Sequence, residues 1–118
     1  MAKFVAVFIG SERSYKASGW DALDERTRNE RQETGAAAWG QWVQLNSKHS
    51  VAMGSPLGKT LKVDPNGVSK TQNEISAYTI VEAESHEAAA QMFLNHPHFT
   101  IFPGDSVEIM ECLPIPSP

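Results

Sequence analysis

The stretch Ala77-Tyr78-Thr79-Ile80-Val81-Glu82-Ala83-Glu84-Ser85-His86-Glu87-Ala88-Ala89 changes its period part-way along. Up to Ala83 the side chains alternate: Ala77, Thr79, Val81 and Ala83 share one face of a strand, Tyr78 and Ile80 the other. From Ser85 the pattern is helical, with Ser85 as N-cap and Ala88, Ala89, Ala90, Met92, Phe93 and Leu94 as the body. His96-Pro97 ends that helix, because a proline disfavours helical backbone in the residue before it. A strand that runs directly into a helix is half of a βαβ unit, and the other parts lie on either side.

After it, Val107 to Leu113 reads as a last strand, followed by a tail punctuated by Pro114, Pro116 and Pro118. Before it, Leu57 to Ser76 contains Asp64-Pro65-Asn66-Gly67 between Thr60-Leu61-Lys62-Val63 and Val68, the chemistry of a tight turn in a hairpin or flap. Val51 to Met53 is a short strand closed by Gly54-Ser55-Pro56. Ala36, Trp39 and Val43 recur at helical intervals flanked by Trp42 and Leu45, and Trp20, Leu23 and Thr27 do so upstream. A helix is therefore predicted from Trp20, capped by Ser18 or Gly19, to about Asn46, with Gly35 as an interruption. Ser11 to Gly19 is polar and reads as a loop, and Lys3 to Ile9 as the first strand.

The order is α+β, a ferredoxin-like βαββαβ arrangement with an extra hairpin. Two helices cover one face of a four-stranded sheet. Yet Phe4, Ala6 and Phe8 oppose Val5, Val7 and Ile9, and Val107, Ile109 and Leu113 oppose Met110 and Cys112. Apolar residues on both faces require a second cover, most economically the same sheet of another copy, so a homodimer is expected.

Composition narrows the function. At 118 residues the chain is one domain, taken as residues 1–114 with 115–118 as a proline-rich tail, and its 41% hydrophobic share is that of a globular protein. A net charge of −4 argues against a nucleic-acid partner, since Arg26, Arg28 and Arg31 are interleaved with Asp24, Glu25, Glu30 and Glu33 as on a solvated helix face. One cysteine, Cys112, excludes an internal disulfide, and no basic neighbour activates it. Phe4 to Ile9 is too short to span a bilayer, so no membrane association and a cytoplasmic location are expected.

Several segments resemble the YCII-related (DGPF-type) family: the junction Tyr78-Thr79-Ile80-Val81-Glu82-Ala83-Glu84-Ser85 with Glu87-Ala88, the helix end His96-Pro97, and the closing Gly104-Asp105-Ser106-Val107-Glu108-Ile109. Ala37-Ala38-Trp39-Gly40-Gln41-Trp42 and Gly54-Ser55-Pro56-Leu57-Gly58-Lys59-Thr60 resemble segments of one subgroup. The resemblance covers Trp39 to Leu113 and the first strand. It implies a dimeric α+β barrel with pockets between sheet and helices. For some members it implies lyase-type chemistry on aromatic compounds by a His–Asp pair whose histidine lies on the first helix. The helix read from Trp20 to Asn46 holds no histidine, so that dyad is not carried over.

Candidate site residues follow from chemistry. His49, His96 and His98 are candidate acid–base groups, with Glu74 or Asp105 as a partner, because imidazole titrates near neutrality. His96 equally reads as a helix-terminating residue, and His86 as an exposed one. Two histidines two apart lack the third protein ligand of a catalytic zinc, so no metal and no cofactor are expected. Trp42 is a candidate ligand-binding residue beside Trp39, which also reads as core. Tyr78 faces either a pocket or a dimer seam. Lys59 and Thr60 offer a charge and a hydroxyl to a small ligand, although a solvated turn accounts for them as well; Walker spacing is absent. The expected function is homodimeric small-molecule binding. The alternatives are a cofactor-free, lyase-like acid–base enzyme acting on an aromatic or carbonyl compound, and a non-catalytic structural or regulatory module.

Overall fold

The computed structural model describes residues 1–117 of the chain; Pro118, the last residue of the expected tail, lies outside them. The elements run β1 (Ala2–Ile9), α1 (Glu12–Ala17), a 3-10 turn (Trp20–Ala22), α2 (Glu25–Leu45), a second 3-10 turn (Ser47–His49), β2 (Ser50–Pro56), β3 (Thr60–Asp64), β4 (Gly67–Thr71), β5 (Ile75–Ala83), α3 (His86–Gln91), α4 (Pro97–Thr100) and β6 (Ser106–Glu111).

Four strands form one antiparallel sheet in the order β2-β5-β1-β6. Each central strand, β1 and β5, leads into a helix and each crossover skips one strand, which is the ferredoxin-like split βαβ topology. β3 and β4 make the extra hairpin, a separate two-stranded ribbon in which Asp64 pairs with Gly67 across the Asp-Pro-Asn-Gly turn.

Alternation selects the covered face. Phe4, Ala6 and Phe8 of β1 and Ala77, Thr79, Val81 and Ala83 of β5 are buried, together with Ala89 and Phe93 beyond Ser85. The Ser85 hydroxyl accepts from the Ala88 amide at 3.0 Å, as expected of an N-cap. On the opposite face Val5, Val7, Tyr78 and Ile80 are only partly covered within the chain. The molecule is thin, 56 × 42 × 19 Å, with a radius of gyration of 16.3 Å against about 13–14 Å for a compact chain of this length.

Four expectations are corrected. Ser11 to Gly19 is not a loop: Ser11 accepts from the Ser14 amide at 3.0 Å, and the Ser14 hydroxyl sits 3.2 Å from the Ser11 amide. This reciprocal capping starts α1 without an apolar stripe. The long helix begins at Glu25 with Asp24 as its cap, not at Trp20, because the Asp24 carboxylate accepts from the Thr27 amide at 2.8 Å. Gly35 does not interrupt α2. It is the helix's one buried residue among those described, and a Cβ there would stand 2.5 Å from the Phe102 ring, so the glycine lets α2 cross the α4 region closely. Finally, α3 stops at Gln91, and His96-Pro97 opens a new helix rather than only closing one. Asn95, in the left-handed region at φ 58°, turns the chain, and Pro97 takes the first helical position, where its missing N–H is harmless.

Candidate functional site

α3 packs on β5 and β6, whereas α2 packs on α4 and stands away from the β2–β5 side of the sheet. The gap is a cavity of about 750 Å³. Trp39, Trp42 and Val43 of α2 form its roof, and Phe8, Ala77, Thr79 and Val81 contribute from the sheet. Met53 to Pro56 of β2 give the rim, and His98 and Phe102 complete the lining from the α4 region. Trp39 and Trp42 reach one cavity because residues three apart on a helix are surface neighbours.

Much of the polar chemistry around this space is already used. The Trp42 indole N–H donates to the Met92 carbonyl at 2.8 Å, the Thr79 hydroxyl to Ala52 at 2.9 Å, and the Ser76 hydroxyl to Phe8 at 3.1 Å. Among the described residues the lining contains no Asp, Glu, Lys or Arg; its titratable members are Tyr78 and His98.

Behind the roof, His96 is fully buried among the rings of Trp39, Trp42, Phe8 and Phe93, with centroids 4.5, 4.9, 5.1 and 5.9 Å away. Its Nδ1 accepts the His98 amide at 3.0 Å, capping α4, so its proton sits on Nε2, which has no partner among the described residues. Burial, helped by the neighbouring His98, pushes its pKa down from 6.5 to about 4.

That shift links to stability with a definite sign. Unfolded chains take up the His96 proton near pH 6.5 and folded chains only near 4, so the unfolded state binds more protons in between. The contribution is complete above pH 6.5 and is lost as the pH falls toward 4. We expect about 2 kcal/mol, less than the bare shift implies because the surroundings relax around a buried charge. His96→Gln, which keeps an acceptor for the His98 amide, flattens this part of the urea-midpoint profile; an unchanged profile refutes the assignment.

The other candidates fall elsewhere. His49 follows α2 with Nδ1 3.1 Å from the Glu82 carbonyl and does not line the cavity. Lys59 is exposed before β3, and Thr60 pairs with Thr71 on the ribbon. Glu74 and Asp105 are exposed near the end of β1, where the Gly10 amide donates to the Glu74 carbonyl and the Asp105 amide to that of Ile9. Trp42 and His98 are brought together in the lining; Tyr78 belongs to it through β5, with its side chain on the opposite sheet face from Ala77, Thr79 and Val81, and the rest lie outside it. His86 donates from Nε2 to the Ile109 carbonyl at 2.7 Å and stacks on Phe4. Cys112 is exposed. Among the described residues no group of three or more His, Cys, Asp or Glu has metal-binding geometry, and no helix is long and apolar enough to cross a membrane. Phe8, Met53 and Phe102 are cavity residues to which no spacing in the chain points.

No family model and no curated protein matches the chain. Among solved structures it is similar to 5-chloro-2-hydroxyhydroquinone dehydrochlorinase from Burkholderia phenoliruptrix AC1100 in complex with 2,5-dihydroxybenzoquinone. The identity is 14% and the TM-score 0.50, over 92% of this chain and 90% of that one. At that identity the likeness shows a shared fold, one that carries an enzyme in the neighbour.

Proposed function

We propose that the chain is a YCII-like domain that binds a small, uncharged aromatic or similarly flat apolar molecule in the cavity under α2, and that it works as a homodimer. The observation that carries the binding reading is the cavity itself: about 750 Å³, roofed by two tryptophans and free of formal charge among its described lining residues. A charged ligand would lose its hydration there without gaining a counter-charge, whereas an apolar ring gains roughly 25 cal/mol per Å² removed from water. Trp42 is the ligand-binding residue of this reading, whereas Tyr78, on the opposite face of β5 from Ala77, Thr79 and Val81, falls to the dimer seam. The fold neighbour's structure is a complex with 2,5-dihydroxybenzoquinone, a flat six-membered ring, which supports a planar ligand in this fold.

A panel of uncharged aromatic compounds, hydroxylated and not, tests it by thermal shift, since a ligand at a hundred times its Kd adds about 2.7 kcal/mol. We expect members of the panel to raise the melting midpoint of the wild type and less so that of Val43→Trp, whose indole intrudes beside Trp39 and Trp42. A panel without any shift overturns the binding reading.

The dimer rests on two uncovered apolar surfaces. On the outer sheet face Val5 lies beside Ile80 and Met110, and Val7 beside Tyr78. On the ribbon Leu61, Val63 and Val68 are 65–77% exposed, although an isolated two-stranded ribbon is marginal in water. A second copy covers both with one two-fold axis. Light scattering is expected to give twice the 12.9 kDa chain mass, and Ile80→Asp the single mass. A wild-type monomer at micromolar concentration overturns the dimer.

A further inference from the structure

Nδ1 of His98, a residue of the cavity lining, has no hydrogen-bond partner among the described residues. The His98 ring is held on several sides. Its Nε2 lies 2.8 Å from the Ile9 carbonyl oxygen, which can only accept, so Nε2 carries a hydrogen. The same oxygen takes the Asp105 amide at 2.9 Å, which uses its second lone pair. The His98 amide is bound by His96 Nδ1, and the His98 carbonyl accepts the Gly104 amide at 2.9 Å. Gly104 also lies against the ring: a Cβ there would stand 2.4 Å from Cε1 and Nε2 of His98. Phe8 meets the ring edge-on at 5.2 Å. The imidazole is thus fixed in place and in tautomer, and in its neutral form Nδ1 presents a lone pair. That atom has no partner among the described residues and, unlike Nε2 of His96, is not sealed from solvent, while His98 lines the cavity.

We propose that His98 determines ligand specificity, its Nδ1 accepting the O–H of a hydroxylated aromatic molecule held under Trp39 and Trp42. This deepens, and rests on, the reading of the cavity as a ligand site. The chemistry is selective because this nitrogen is the most basic acceptor in a lining whose other polar side chains, among the described residues, are neutral amides and hydroxyls. A ligand without a donor leaves the imidazole nitrogen desolvated and unmatched. A ligand with one satisfies both groups at once. Gly104 is the positioning residue, since any larger side chain displaces the ring.

The pair 3-nitrophenol and 3-nitroanisole at pH 7 tests this, because the rings are alike, the meta-nitro phenol stays largely protonated, and only it carries an O–H. Quenching of Trp39 and Trp42 fluorescence reads binding. We expect the wild type to bind nitrophenol about tenfold more tightly, and His98→Ala to bind the two equally. Equal affinities in the wild type, or a preference that survives in His98→Ala, overturn the role of His98 and leave the cavity reading standing. Failure of both compounds to bind the wild type overturns both. Long-range 1H–15N spectra of the histidine-labelled wild type give a second measurement that needs no variant. Nδ1 of His98 is expected to be unprotonated in the free protein and to shift with nitrophenol but not with nitroanisole. A free protein with the proton on Nδ1 refutes the proposal.

Discussion

Gly54→Ala is expected to destabilise the fold by about 3 kcal/mol or more and to lower the melting midpoint by over 10 °C. Gly54 sits in β2 at φ +67°, where an L side chain is strained, and its added Cβ would stand 1.8 Å from the Tyr78 carbonyl oxygen and 2.6 Å from the carbonyl carbon. The obstacle is backbone of a central strand, so nothing flexible can move aside. β2 would have to part from β5 between its Ala52–Ile80 and Ser55–Tyr78 pairings. That parting dismantles the cavity rim, because Gly54, Ser55 and Pro56 belong to the lining. Urea titration of wild type and variant checks the stability, and the aromatic panel checks the rim. A midpoint within about 2 °C of the wild type, well under 1 kcal/mol, overturns the expectation. Gly54 reads from sequence as the end of a short strand. In the structure the glycine lets the strand absorb a register shift and run on to Pro56, which an edge strand tolerates.

That difference shows where local pattern carries and where it stops. The alternation in β1 and β5 identifies the buried faces because the period of two is a property of the strand alone. Ser85 and Asp64-Pro65-Asn66-Gly67 mark their helix and turn because each acts within four residues. α1 escapes a pattern search because it buries nothing and its cap uses Ser14 where glutamate or glutamine is the usual partner. The continuity of α2 through Gly35 depends on Phe102, sixty-seven positions later, and no spacing reveals that. The site follows the same rule. Trp39 and Trp42 share a helix face, so their common direction is readable. What they face is Phe8, His98 and Phe102, gathered from distant segments. His49, Lys59, Thr60, Glu74 and Asp105 carry suitable chemistry at places that tertiary structure leaves outside the lining.

Phe8→Ala is expected to cost about 3–5 kcal/mol, a large share of what a domain of this size holds in reserve. Phe8 is 2% exposed at the centre of the aromatic cluster, 5.0 Å from Trp39, 6.0 Å from Phe93 and 5.1 Å from His96, ring to ring. It also belongs to the cavity lining, so its ring touches both that space and His96. Truncation would therefore do more than leave a void. It would let water from the cavity reach the imidazole whose burial holds its pKa near 4. The His96 pKa would rise toward 6.5, and the acid-side decline in stability between those values would flatten. Phe8→Leu separates the two effects: it keeps an apolar plug, loses roughly 1–2 kcal/mol because less volume is removed than in the alanine variant, and retains the acid-side slope. Urea midpoints for the three proteins between pH 4 and 7 supply the measurement. A Phe8→Ala protein that keeps the wild-type slope would show that Phe8 does not shield His96, and the dryness of the cluster would then have to come from Trp39, Trp42 and Phe93.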